Sequence, residues 1–328
     1  MYKCLSLYKL LLLVVVTLSA IVIITPKPYN IKQRVIDMED FTGLGKIATS
    51  ISEVYKATID KIENAVSVIY NDTNYKVRKE AEKKYIDRLT NDGTIDEVVK
   101  LALVTNHKQI FKEARNKNDI LGIALSKLTA EAEPKQVIDD WLSYFFDNAK
   151  NISDENIQIV WGNILANEIN TPGSVPKNLI HILSVISNEE AKNFNILCRY
   201  HVIINGEYDL LYPEDENLKK ILSFTQMTEL VKLGLISYRP DTGFIKVFDD
   251  HSDTYGFEML GKCYSLKSTS KANGRICFKF GDVLLTRDGQ TLCNAIHPVP
   301  AENIVEIIKN YYATDTYYKL SESLISTQ

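Results

Sequence analysis

Along the chain the apolar positions change their rhythm three times. Leu10 to Ile24 is a mostly apolar run that no charge interrupts, with Lys3 and Lys9 before it and Pro26-Lys27-Pro28 after it. From Leu44 the apolar residues switch to helical spacing. Leu44, Ile47, Ile51, Val54, Thr58, Ile62, Val66 and Ile69 recur at three- and four-residue steps, which predicts one long amphipathic helix. A stripe that wide must be covered, so residues 44–69 are a candidate surface for a homo-oligomer. Lys76 to Arg88 follows, dense in both signs of charge, and reads as a solvated helix laced with i,i+4 pairs. Asn91-Asp92-Gly93 marks a turn, and residues 95–104 and 107–128 read as two further helices.

Beyond Pro134 the helical pattern sharpens. Val137, Ile138, Trp141, Leu142, Phe145 and Ala149 form one apolar face. Ser153 is placed as the N-cap of a helix carrying Ile157, Val160, Trp161, Ile164, Leu165 and Ile169. Pro172-Gly173 breaks that helix. A short helix over 176–186 follows, and then Ser187-Asn188-Glu189-Glu190 offers a capping box into a helix of about 188–200.

After residue 200 the rhythm becomes mixed. Glu216 to Leu222 reads as a short helix. Ser223 to Gln226 is a second capping box, and Gly234 is placed to end the helix it opens. Leu235–Arg239 and Phe244–Phe248 read as strands joined by a turn at Pro240 to Gly243. Cys263–Leu266 and Ile276–Phe280 read as strands that pair around Ala272-Asn273-Gly274. Thr286 caps a helix with Leu292 and Ile296, and 301–312 is a last helix. The helix, its Gly-containing turn and the strands resemble a winged-helix arrangement.

The expected fold is mainly α: an N-terminal apolar anchor helix, a helical middle domain and an α+β, winged-helix-like C-terminal domain. The divisions fall at 1–25 (anchor or signal segment), 26–42 (linker), 43–133 (amphipathic and charged helices), 134–204 (helical domain) and 205–328.

Composition changes this picture little. The chain has 328 residues and a formal net charge of −4, which is not the footprint of a general nucleic-acid binder. Its five cysteines show no C-x-x-C pair and read as free thiols of a reducing compartment. Leu10 to Ile24 would rise about 22 Å as a helix, somewhat short of a bilayer core. With Thr25, residues 4–8 and a snorkelling Lys9 it reaches across, so the lipid bilayer is the expected partner. A retained anchor with a cytoplasmic body is the preferred reading. A cleaved signal peptide and a mis-assigned start, leaving a cytoplasmic chain, are the alternatives.

Chemistry-bearing motifs are scarce. There is no phosphate-binding loop, dinucleotide fingerprint, nucleophile elbow or zinc-protease helix, and no cofactor, metal or small-molecule substrate is implied. Cys198 and His201 have metal-ligand spacing but no further ligands. His251 and Asp253 have the composition of a general-base pair in a polar loop. Asp139, Asp140 and Asp147 lie opposite the Trp141 face and read as solvent-facing charges. Trp141 and Trp161, the two tryptophans, fall on apolar stripes of neighbouring helices.

The stretch from Asp139 to Phe194 resembles a bacterial family known as a domain of unknown function, number 2806. The residues that carry the likeness are Asp140-Trp141, Phe145-Phe146, Ile152 to Glu155, Gln158, Trp161, Leu165-Ala166 with Glu168, and Pro172-Gly173-Ser174. Asp40 to Lys46, and Leu285-Thr286 with Gly289 and Leu292, resemble its early and late segments. The family implies no activity. More distantly, the central motif is similar to abortive-infection alpha-type proteins of phage defence. Trp141, Phe145, Gln158, Trp161, Glu168, Pro172 and Gly173 are therefore the candidate motif and interaction residues, with Glu168 read as a surface carboxylate.

The functional expectation is a membrane-tethered protein that works through protein interaction, with phage defence as its setting. One rival is a DNA-binding regulator using Thr225 to Leu233, where Lys232 is the only cation. The other is an enzyme of unrecognised type.

Overall fold

The computed structural model describes residues 45–204, 206–212, 221–248, 254–268, 276–313 and 318–322. The anchor run Leu10 to Ile24, the linker, the family-like segment from Asp40 to Leu44, most of the helix expected at Glu216, the His251/Asp253 pair and the Ala272–Gly274 turn lie outside these residues. Among the described residues no helix is long and apolar enough to cross a membrane.

The described chain is mainly helical with an antiparallel sheet towards its C-terminus. Its helices are α1 (Gly45–Val66), α2 (Tyr75–Thr90), α3 (Glu97–Leu125), α4 (Asp139–Ala149), α5 (Glu155–Asn170), α6 (Lys177–Val185), α7 (Asn188–Cys198), α8 (Phe224–Lys232), α9 (Arg287–Ile296) and α10 (Ile304–Ala313). Its strands are β1 (His201–Ile204), β2 (Glu207–Leu210), β3 (Ile236–Tyr238), β4 (Phe244–Phe248), β5 (Thr254–Met259), β6 (Lys262–Ser268), β7 (Ile276–Gly281), β8 (Val283–Leu285) and β9 (Tyr318–Glu322). Two compact units result. Asn71–Phe111 belongs to one; Thr49–Tyr70 and everything from Lys112 onward belongs to the other.

In the smaller unit, α2 and the first half of α3 form a helical hairpin. Asn74 caps α2 by accepting from the Lys76 N–H at 2.9 Å, and Tyr85 packs edge-on against Phe111. No residue of α2 is buried. Where two helices were expected across 95–128 there is one. Thr105-Asn106 holds neither Pro nor Gly, and the weaker propensity of Thr and Asn costs only tenths of a kcal/mol, ~0.5 per residue.

The larger unit is built on the helices predicted beyond Pro134. Ile120, Leu121, Leu142, Phe145, Phe146, Trp161, Ile164, Leu165, Leu179, Phe194 and Leu197 fill its interior. In α1 the amphipathic stripe is partly covered by this same unit: Thr58 and Ile62 are buried, and Lys61 pairs with Asp139 at 2.5 Å. The helix starts are close to those expected. Ser187 with Glu190, and Ser223 with Gln226, form complete capping boxes. Asp154, one residue beyond Ser153, caps α5 through the N–H groups of Asn156 and Ile157. Ser153 instead offers its Oγ to Asn116 Nδ2 at 3.2 Å.

One glycine sets how closely α3 and α5 approach. A Cβ on Gly162 would lie 2.6 Å from Ile123 Cβ and 3.2 Å from the Ile120 carbonyl oxygen. Gly162→Ala gains about 0.5–1 kcal/mol of helix propensity but overpacks a β-branched neighbour that cannot swing aside, at a cost of about 1–3 kcal/mol. The expected result is a net loss of stability in thermal melts, which Ile123→Ala does not relieve because alanine keeps the Cβ that stands 2.6 Å away. Equal melting of Gly162→Ala and wild type would show that the contact is not tight.

Strand pairing differs from the sequence expectation. β5 and β6 form a hairpin over Leu260-Gly261, whose φ angles of 53° and 68° suit a two-residue turn. β6 therefore pairs with β5 and β9, not with β7. The five-stranded sheet runs β2-β1-β5-β6-β9. β3 pairs with β8 and β4 with β7, rather than β3 with β4. The turn at Pro240 to Gly243 is present, with the Gly243 N–H on the Arg239 carbonyl at 2.9 Å. It continues one long ribbon arm instead of folding it back.

Candidate functional site

The motif residues come together inside the larger unit. Trp141 stacks on Phe145, with ring centroids 5.2 Å apart, and Phe145 meets Trp161 edge-on at 5.1 Å. All three are buried. Trp141 Nε1–H donates to the Val175 carbonyl at 3.0 Å, so the aromatic cluster also holds the turn that follows α5. Gln158 Nε2 donates to the Ile152 carbonyl at 2.8 Å and fastens the α4–α5 connection.

Glu168 is not a surface carboxylate. It is 2% exposed, and its two oxygens accept from the N–H groups of Gly173 (2.8 Å) and Val175 (2.9 Å). Burial pushes its pKa above the ordinary carboxylate range, against the pull of those two donors. The reason lies in the chain beyond α5. Gly173 takes φ 81°, which turns the backbone so that two nearby N–H groups converge on one side chain. Pro172 and Gly173 thus shape the loop that Glu168 holds. Arg287 Nη2 reaches the Gly173 carbonyl from α9 at 3.4 Å.

Several residues that tie the unit together carried no signal of their own in the sequence. Asn163 Nδ2 donates to the Ala295 carbonyl at 2.7 Å, joining α5 to the end of α9. Asn116, buried in α3, donates to the Lys150 carbonyl at 2.8 Å. The late family-like segment has a physical reading too. Thr286 Oγ1 donates to the Gly234 carbonyl at 2.6 Å and accepts from the Gly289 N–H at 3.1 Å. Gly289 has no Cβ because the Leu235 backbone occupies that place.

Cys198 and His201 do not present two ligands to one point. The Cys198 thiol is buried beside Cys293, and burial raises its pKa well above the ordinary thiol value. His201, in β1, stacks on Tyr208 and places Nδ1 2.9 Å from the Cys198 carbonyl oxygen, so Nδ1 carries the proton. Burial lowers the pKa of His201, opposed by that carbonyl and by Glu258. A cavity of about 290 Å³ is lined by His201, Ile203, Glu258, Met259, Leu260, Gly261 and Pro300. Cys198, Cys263 and Cys293 are free thiols. Among the described residues no three His, Cys, Asp or Glu side chains gather as a metal site.

An exposed apolar face of the larger unit's C-terminal part lies on α8. Met227 and Leu230 are buried against the body. Phe224 and Val231, with half-buried Thr228 between them, lie on another face at i, i+4 and i+7. Phe224 is 65% exposed, and its ring is 6.0 Å from that of Tyr238.

A helical body joined to an antiparallel sheet, with motif residues that build its interior, is the architecture defined so far. Residues 104–309, more than half of the chain, match the family described as "Protein of unknown function (DUF2806)", and the chain belongs to that family. Comparisons with curated proteins and with solved structures gave no match.

Proposed function

We propose that the protein works by holding a partner protein on the exposed face of α8, within a winged-helix-like C-terminal module. The observation that carries this reading is Phe224, a large apolar ring exposed on the outward face of a short, well-capped helix. Large exposed aromatics are what partner-binding surfaces concentrate. A helix that reads duplex DNA needs cations near phosphates, and Lys232 is the only one α8 carries. The bilayer tether is supported by the uncharged run Leu10 to Ile24. The phage-defence setting rests on the distant resemblance read from the central motif in the sequence alone.

Phe224→Asp tests the reading. The position is exposed, so the change should leave stability within about 0.5 kcal/mol. Protection of the host against a phage panel should be lost. Full protection by the variant would remove α8 from the account, and equal plaque counts with and without the wild-type gene would remove the defence setting. A DNA gel shift by the full chain that weakens with salt and is lost in Lys232→Ala would favour the regulator instead. Recovery of the intact, tagged chain in the soluble extract would remove the tether.

A further inference from the structure

We propose that the first half of α3 pairs with the same segment of a second copy of this chain, antiparallel, about a two-fold axis near Ala102. This surface is separate from α8 and does not rest on it.

Val98, Leu101, Ala102 and Thr105 follow the i, i+3, i+4, i+7 spacing of one helical stripe. All four are exposed, Val98 at 77% and Leu101 at 69%. The face of α3 that meets α2 is a different one: His107 and Phe111 contact Tyr85 there. The hairpin thus has an apolar stripe on a side its own partner helix does not cover.

The charges beside the stripe indicate the occupant. Glu97, whose carboxylate also pairs with Lys100 Nζ at 2.7 Å within the helix, and Lys108 are eleven residues apart, which places them about 20° apart around the helix and about 16 Å apart along it. They therefore flank the same edge of the stripe at opposite ends. Antiparallel two-fold pairing keeps each edge on its own side and reverses its direction. Glu97 of one copy then faces Lys108 of the other, twice, with opposite signs. Ala102, the smallest residue of the stripe, falls beside the axis, where the backbones approach most closely. A parallel two-fold would carry the Glu97–Lys108 edges of the two copies to opposite sides of the seam, and neither charge pair would form. The stripe is short compared with a stable obligate interface, so the association is weak and depends on concentration. A chain gathered on a bilayer would meet that condition.

The test is sedimentation of the full chain in detergent across a range of concentrations, with circular dichroism as the control for folding. Wild type should show a reversible monomer–dimer equilibrium. Leu101→Asp should abolish the dimer. Lys108→Glu should weaken it roughly fivefold, as loss of exposed ion pairs does. Adding Glu97→Lys to Lys108→Glu should restore it, a rescue that simple damage to the helix cannot give. A wild-type chain that stays monomeric at every concentration would overturn the proposal. So would a dimer unaffected by Leu101→Asp, or a charge swap that fails to rescue. Crosslinking from Leu101→Cys to residues 1–44 of the same chain, in a monomer, would show an internal occupant and also overturn it.

Discussion

Gly289→Ala should disrupt the C-terminal part of the larger unit. A methyl group at this position collides with the Leu235 carbonyl oxygen, and the Leu235 carbonyl carbon would be 3.0 Å away. The obstacle is backbone, which cannot rotate away. That backbone is itself fixed: the Thr286 N–H donates to the Leu235 carbonyl at 3.1 Å, and the Leu235 N–H closes α8 on the Leu230 carbonyl at 3.1 Å. Overpacking commonly costs about 1–3 kcal/mol, and an immovable obstacle belongs at or above the upper end of that range. Thermal or urea unfolding should show the loss, together with new proteolytic sensitivity around α8 and α9. A variant as stable as wild type would mean that α9 does not approach Leu235 so closely.

The second large effect is expected at Glu168. Glu168→Ala leaves the N–H groups of Gly173 and Val175 without their acceptor in a nearly closed site. Hydrogen bonds to a charged group are worth about 1.5–3 kcal/mol each, and relief from burying a carboxylate offsets part of that sum. A net loss of about 2–4 kcal/mol in unfolding experiments is expected. Glu168→Gln should lose less, because one amide oxygen still accepts. The folded-state pKa of Glu168 is raised, so its own contribution is complete below the unfolded value of 4.5. That contribution is lost as pH rises through the raised value. The non-titrating Gln variant should therefore close part of its gap to wild type across that window. A Gln variant of wild-type stability that had lost all biological effect would point to a chemical role for Glu168, as the enzyme reading requires.

Local signals in the sequence were the most readable. Ser187/Glu190, Ser223/Gln226 and Thr286 cap the helices expected of them. Gly234, at φ 77°, ends α8 with its N–H on Val231 and the Leu235 N–H on Leu230, the paired bonds of a glycine C-terminus. Each of these is settled within six residues. Long-range pairing was not readable. The ribbon of β3 and β4 with β7 and β8 depends on register between residues from 28 (Phe248 and Ile276) to 49 (Ile236 and Leu285) apart, and the β5–β6 hairpin between them turns on Leu260, a residue type that seldom marks a turn. Glu168 was misplaced for a related reason. Helical periodicity put it at a helix end, but its burial is decided by the loop that folds back over it.

Of the candidate residues, Trp141, Phe145, Gln158, Trp161 and Glu168 are placed in the interior, where they hold helices and one turn in position. The exposed apolar residues proposed to meet partners lie elsewhere, on α8 and on the first half of α3. The chain's internal motif and its outward surfaces are therefore different sets of residues, and only the first set carried a family likeness.

The most direct measurement is photo-crosslinking in cells from a benzophenone side chain placed at position 224 of the full-length chain. We expect one discrete protein adduct that resists nuclease and disappears when Val231→Asp is added. A nuclease-sensitive adduct, or no adduct at 224, would contradict the claim that α8 receives a protein.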